Sequence, residues 1–328
     1  MRVLFFSDTH LGLDGPSRPR VARRRQGDDF FANTERAVTR ALAGDVDLVV
    51  HGGDVFHRSD VPLSLAERAY ALLRRVADHG VPLVLVPGNH ERAALPFPLL
   101  LRHPAVFVFD RPKTLELRLA GLRVAIGGFP YLRHARARFT AALAAAELSS
   151  APADLRLLCM HHCFEGAQVG PHDWTFRDAD DVVRAADLPE GLSAVLSGHI
   201  HRHQVLRHDL RGAPLRAPVL YPGSVERTSS AERGETKGYL TLDFDAGGLA
   251  AWQLHELPTR PLAVCTLRAG ELRAELERLA STLPEDAVLV LRVEGKATEA
   301  ESMLLSAAAL RERFGPRVNV RVSAPRDR

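Results

Sequence analysis

Cysteine is scarce in this 328-residue chain, which has only Cys159, Cys163 and Cys265. Three thiols form no even framework and no Cys-x-x-Cys pair, which argues against a disulfide-stapled secreted domain and for a reducing compartment. No apolar run approaches the roughly 18 residues that span a bilayer. The chain opens directly on an apolar segment, with no basic stretch and cleavable core before it, so the expected location is cytoplasmic, with no membrane partner. Lysine is nearly missing too: Lys113, Lys237 and Lys296 are the only three, and arginine carries almost all the positive charge. The net charge of +3 is a weak basic bias that permits a phosphate-rich partner without calling for one. Internal repeats and low-complexity tracts are absent as well.

What is present is an ordinary globular composition, 46% apolar and 25% charged, long enough for one large domain and a small one. Short apolar runs alternate with helical patterns. Strands are expected at Val3–Phe6, Asp47–Val50, Pro82–Val86, Leu155–Met160 and Ala194–Leu196. Helices are expected at Phe30–Ala43, Leu63–His79, Arg133–Leu148 and, shorter, Asp178–Ala186. Between Val106 and Phe129 the pattern turns β-like without a helix, which suggests an antiparallel portion or a second sheet. Further strands fit Val219–Tyr221, Gly238–Phe244 and Leu249–Leu257. The best linker is Leu257-Pro258-Thr259-Arg260-Pro261. Beyond it, strands at Leu262–Leu267, Ala287–Val293 and Arg317–Val322 alternate with helices, one carrying Leu272, Leu276, Leu279 and Leu283 and one at Glu299–Arg313. The expectation is an α/β chain divided into 1–256, a linker 257–261 and a small α/β unit 262–328.

Five of the apolar runs end in metal-ligand types: Asp8/His10, Asp54, Asn89/His90, His161 and His199/His201. Alone, Asp8 and His10 could be no more than a solvated turn. Ligands in α/β sheets collect beyond the carboxyl ends of strands, so five such ends can converge on one crevice. Two cations about 3.5–4 Å apart can clamp a phosphate and activate water. Holding them that close calls for an anionic bridge, which suits Asp54. Asp8, His10 and His201 would serve one ion; Asn89, His161 and His199 the other. Imidazole, carboxylate and amide together fit Mn²⁺, Fe or Zn²⁺, and with no thiolate in the set a structural zinc site is not expected.

The segments SDTHLG, GGDVFH, GNHE, MHH and SGHIH, in that order, resemble the calcineurin-like metallophosphoesterases over residues 1–245. Within that superfamily, GDVFH, GGFPY, HHCFEGA and above all PGSVERTSSAERGETKGY (222–239) look most like SbcD-type DNA-repair exonucleases. The resemblance implies a four-layer α-β-β-α sandwich with a dinuclear site at one edge and a small C-terminal cap that helps to admit DNA. It makes Asp8, His10, Asp54, Asn89, His161, His199 and His201 the ligands of two divalent ions, with Mn²⁺ the first choice. Of the adjacent pair His161 and His162, the one directly after the apolar run is favoured. His90 becomes the general acid or transition-state stabiliser, and His57 the residue that orients the phosphodiester. The implied reaction is in-line attack on phosphorus by a hydroxide bridging the two ions.

The implied substrate is DNA, single-stranded or at duplex ends. A phosphatase or a small-molecule phosphodiesterase of the cyclic-nucleotide type is the alternative on the same scaffold. Arg23 and Arg24, in a loop with Arg18, Arg20 and Arg25, read either as phosphate contacts or as a solvated insertion. Arg227 reads equally as a phosphate contact or as a structural ion pair. His51, His203 and His208 are expected to be solvated or supporting groups rather than ligands. The resemblance also implies a homodimer and an SbcC-like coiled-coil ATPase as partners. Members that pair with the ATPase continue into a helical docking segment, whereas this sequence ends soon after Val322, which weakens that second expectation.

Overall fold

The computed structural model describes residues 1–14 and 25–323. Arg18, Arg20, Arg23 and Arg24 lie outside the described residues. Strand β1 (Arg2–Phe6) shows how the fold is built. Its side chains alternate, Val3 and Phe5 facing one core and Leu4 and Phe6 another, all four with no exposed surface. Each such side chain contributes about 1.5–3 kcal/mol by leaving water. A strand buried on both faces is the interior of a layered fold.

Three further strands complete one side of that sheet, β2 (Leu48–His51), β3 (Leu83–Leu85) and β4 (Val106–Val108), and β5 (Lys113–Leu119) begins the next. Then come β6 (Leu122–Gly128), β7 (Leu155–Met160) and the two-residue strands β8 (Cys163–Phe164), β9 (Gln168–Val169), β10 (Trp174–Thr175) and β11 (Val182–Val183). The core closes with β12 (Ala194–Ser197), β13 (Gln204–His208), β14 (Pro214–Tyr221), β15 (Gly238–Asp245) and β16 (Gly248–Glu256). The first sheet has the order β16-β15-β1-β2-β3-β4, and the second β13-β14-β12-β7-β6-β5. Strands β1, β2, β3 and β4 run parallel, as do β6, β7, β12 and β14. Val3, Phe5, Val50 and Val84 meet Ile126, Leu157, Cys159 and Leu196 between the sheets.

Helices α1 (Gln26–Ala41) and α2 (Leu63–Asp78) cover the outer face of the first sheet, where Phe30, Val38, Tyr70 and Leu73 pack on Leu4, Phe6 and Val49. Asp28 and Asp29 in the first turn of α1 and Arg40 in its last suit the helix dipole. Helix α3 (Ala135–Ala146) covers the second sheet through Phe139 and Leu143. The layers therefore run α-β-β-α. The helix expected at Asp178–Ala186 does not form. Its Val182 and Val183 pair in parallel with Cys163 and Phe164, and the Asp180 carbonyl accepts from Arg136 N.

A third sheet, β17 (Leu262–Arg268), β18 (Val288–Glu294) and β19 (Asn319–Ser323), is all parallel. With α4 (Leu272–Thr282), α5 (Glu299–Leu304) and α6 (Ala307–Phe314) it encloses its own core around Leu272, Leu276, Leu289 and Leu310. The single helix expected at Glu299–Arg313 is two, because the Ser306 hydroxyl accepts from Ala309 N and starts a new one. At the junction, Arg260 is buried. Its guanidinium reaches Asp29 at 3.3 Å in the core, and the Ala287 and Arg317 carbonyls at 3.2 and 2.6 Å in the small unit. No helix among the described residues is long and apolar enough to cross a membrane.

Candidate metal centre

All five ligand-bearing strand ends meet at one edge of the sandwich. Three come from the first sheet (after β1, β2 and β3) and two from the second (after β7 and β12). The two sheets are stitched together there: His161 Nδ1 donates to the Gly52 carbonyl at 2.7 Å, and His199 N donates to the Asp8 carboxylate at 3.1 Å. Asp54 lies in the middle. Its Oδ2 is 3.3 Å from His161 Nε2, 3.8 Å from His10 Nε2 and 3.9 Å from His90 Nε2. On one side, Asp8 Oδ1 is 3.6 Å from His201 Nε2 and 4.0 Å from His10 Nε2, and the two histidine nitrogens are 3.0 Å apart. On the other, Asn89 Oδ1 is 2.8 Å from His199 Nδ1 and 3.1 Å from His161 Nε2.

The backbone makes this crowding possible. Asp8, His10, Asp54 and His199 all have positive φ, at 53°, 40°, 53° and 83°. Non-glycine residues held there cost about 1–3 kcal/mol each and gather at functional sites. Two glycines are needed as well: a Cβ at Gly53 would run into the His161 imidazole, and one at Gly88 into the Asp54 carboxylate.

The donor chemistry fits divalent cations. His161 has its Nδ1 proton on Gly52 O, so Nε2 turns a lone pair towards Asn89 Oδ1 and Asp54 Oδ2. Acceptors facing one point repel unless a proton or a cation lies between them. Burial lowers the His161 pKa, yet Asp54 and Asp8 outweigh it and push it up to about 9, the response of a site that attracts positive charge. Burial would raise Asp54, but His161 and His10 overcome it and hold the carboxyl well below its usual range. Asp8 is raised by burial, and His10 is lowered by burial and by His201. His10 Nδ1 is buried without a hydrogen-bond partner. Nitrogen and oxygen donors without thiolate suit Mn²⁺, Fe or Zn²⁺.

His90 and His57 flank the cluster. His90 N donates to Asp54 Oδ1 at 3.0 Å and its Nδ1 donates to the His57 carbonyl at 2.7 Å, which leaves Nε2 as the free ring nitrogen beside Asp54. The His57 ring is 5.1 Å from that of His90 and 5.5 Å from that of His10. Burial pushes His57 down to about 4. A cleft of about 330 Å³ opens beside His57, with Gly12, Leu65 and the exposed Arg58 in its walls. His162 turns away: its Nε2 accepts from Leu132 N at 2.8 Å and its ring stacks on Tyr131. His51 is buried behind the site on Thr9, and His203 donates to the Tyr221 carbonyl.

Two acidic residues join the site that motif reading passed over. Glu91, fully buried, accepts Phe56 N at 2.6 Å and Gly88 N at 2.8 Å, tying the loops after β2 and β3 together. Burial and Asp54 push its carboxyl up to about 8. Its place in GNHE was the available signal. Glu232 reaches His201 Nδ1 at 3.2 Å from the 222–239 segment, where the S-x-x-E spacing from Ser229 marked a capping box. Burial would raise Glu232, but His201 and Lys237 hold it well below the usual range. Arg227, in the same segment, directs its guanidinium to the Arg260 and Glu235 carbonyls, at 2.9 and 3.3 Å.

Residues 1–203 match the family model described as calcineurin-like phosphoesterase. Among curated proteins, the DNA double-strand break repair protein Mre11 of Haloferax volcanii is 30% identical over 302 residues, covering 90% of this chain and 62% of that protein. Those of Methanopyrus kandleri and Aeropyrum pernix are 27% and 26% identical, over 85% and 79% of this chain and again 62% of their own length. The chain thus spans a little under two thirds of these relatives. A solved dimetal phosphatase from Danio rerio aligns at a TM-score of 0.43 and 14% identity, over 74% of this chain and 92% of its own, too distant to bear on chemistry. With the family model covering well over half of its length, the chain belongs to the calcineurin-like phosphoesterase family.

Proposed function

We propose that the chain is a metal-dependent DNA nuclease that holds two divalent ions at the joined edge of its sheets. Asp8, His10 and His201 would hold one ion and Asn89, His161 and His199 the other, with Asp54 shared, because Asp54 Oδ2 lies within 4 Å of His10 in the one set and of His161 in the other. Mn²⁺ is the first choice for such donors, with Fe and Zn²⁺ compatible. Bound there, the ions would neutralise phosphate charge and make a water nucleophilic at neutral pH. His90 Nε2, fixed by the hold of the His57 carbonyl on Nδ1, is the atom that would pass a proton to the leaving sugar oxygen once the ring carries its second proton. His57, at the mouth of the cleft, would orient the phosphodiester.

One observation carries the choice of DNA. The likeness to DNA double-strand break repair proteins extends past residue 203, the end of the family model, to nine tenths of the chain. It therefore takes in the 222–239 segment and much of the unit after the linker, which a shared phosphoesterase core alone would not require. In this reading 1–256 is the nuclease domain, 257–261 the linker, and 262–328 a cap that Arg260 pins to Asp29 of the core.

The test compares bis-p-nitrophenyl phosphate with the mono-ester, then single-stranded and duplex DNA, with Mn²⁺ and with chelator. Hydrolysis of the diester and of DNA that chelator abolishes is expected. Vigorous mono-ester hydrolysis with both DNAs intact would replace the nuclease with a phosphatase.

A further inference from the structure

The 222–239 segment carries a buried ion network with no evident substrate to bind. Lys237 has no exposed side-chain surface, although lysine is among the residues least often found so. Its ammonium donates to Glu232 Oε2 at 2.6 Å, to Glu235 Oε2 at 3.0 Å and to the His201 carbonyl at 2.9 Å. Glu232 Oε1 accepts from the Thr228 hydroxyl at 2.6 Å and from Ser229 N at 3.1 Å, and lies 3.2 Å from His201 Nδ1, which the Thr228 oxygen also approaches at 3.1 Å. Apart from Glu235, which pairs with Lys237 and lies 3.7 Å from Arg202 Nε, every group in this set touches Glu232 or His201. Lys237 and Arg202 together offset the two carboxylates, the condition under which such a network fixes geometry instead of destabilising the fold.

We propose that Glu232 is the positioning residue of His201: beside the Thr228 oxygen it accepts the hydrogen bond from Nδ1–H, so that Nε2 keeps its lone pair towards Asp8, while Lys237 grips both Glu232 and the His201 backbone. This rests on the reading of His201 as a metal ligand. A carboxylate on the far nitrogen of a ligating histidine fixes its tautomer and ring angle and raises its basicity. The ligands of the other half have no such device. His161 Nδ1 is held by a main-chain carbonyl, and His199 Nδ1 already faces Asn89. Glu232 therefore acts on one ion of the pair. The 222–239 segment, which resembles a nuclease-specific loop, serves the centre from behind.

The test is calorimetric titration of the metal-free full-length chain with Mn²⁺ alone, for wild type, H201A, E232Q and E235Q, with melting curves to establish folding. E232Q is expected to weaken one of two sites by roughly 10–100-fold and leave the other unchanged. E235Q, which touches Lys237 but not His201, should bind both ions as wild type does, an outcome that a merely structural network would not give. If E232Q binds both ions with wild-type affinity while H201A loses one, the proposal is overturned and the centre stands. If H201A also keeps both, the placement of His201 fails and the proposal with it. Should E232Q not fold, E232D decides: it keeps the charge beside Lys237 and withdraws the carboxylate from His201 Nδ1, so a several-fold loss at one site supports the proposal, and unchanged binding at both overturns it.

Discussion

His161 and His201 enter the centre from the same sheet, yet they are held in different ways. His161 leans on a main-chain carbonyl, Gly52 O, whose position follows from the pairing of β1 with β2. His201 leans on a carboxylate 31 residues away, supported by a threonine and a buried lysine. A main-chain prop is available wherever two strand ends meet and cannot be deleted by a side-chain change. A carboxylate prop needs its own buried charge balance, and substitution can tune it. One half of the centre is thus built into the fold, and the other is adjustable through a loop.

Asp54→Ala removes the one group both halves share and should erase the contrast: Mn²⁺ binding falls to background at both sites, read by metal analysis of the desalted protein. His90→Ala should retain both ions and lose roughly 10²–10⁴-fold in kcat on a diester. Equal loss of metal and turnover would mean that His90 serves binding. Lys237→Met attacks the adjustable half alone. It leaves Glu232 and Glu235 without their buried counter-ion and should cost about 3–5 kcal/mol of stability, part of it recovered in the K237M/E232Q double variant, read from urea midpoints.

Gly53→Ala attacks the other half, since φ there is +109° and the new methyl meets the His161 ring. It should weaken the Asn89/His161/His199 site more than that of Asp8, His10 and His201 in the same Mn²⁺ titration, the mirror image of E232Q. The smallest effect belongs to Glu226, a carboxylate of the same segment that lies off both props. Burial pushes it up to about 7, so the folded state binds its proton more tightly than the unfolded chain does. Its charge therefore costs stability progressively above the usual glutamate range, and the cost levels off once pH exceeds about 7. E226Q should match wild type at pH 4 and exceed it by about 1–3 kcal/mol at pH 8, measured in chelator to separate folding from metal.

Strand ends were legible because a buried parallel strand is a short apolar run, and a polar residue in the few positions after it lies at the sheet edge. Asp8, Asp54, Asn89, His161 and His199 all follow that rule. The left-handed backbone at Asp8, His10, Asp54 and His199 was not legible, since these residue types do not require it; tertiary contacts impose it. Glu232 was hidden for a related reason: its tie to His201 depends on how two loops fold together, and only the capping-box spacing and the rarity of lysine hinted at it. The helix expected at Asp178–Ala186 fails by tertiary override, helical composition losing to strand pairing with Cys163 and Phe164. Arg227 illustrates the limit of charge as a cue. Its charge fitted a phosphate contact and a structural ion pair equally, and its hydrogen bonds go to main-chain carbonyls, one in the linker and one at Glu235.

The central claim is that five strand ends from two sheets build one centre for two ions. Titrating the metal-free chain with Mn²⁺ and following the electron paramagnetic resonance signal tests it most directly. The account predicts two ions per chain, magnetically coupled through a shared ligand, with the coupling and both ions lost in D54A. A single ion per chain, or a D54A variant that keeps a coupled pair, would contradict it.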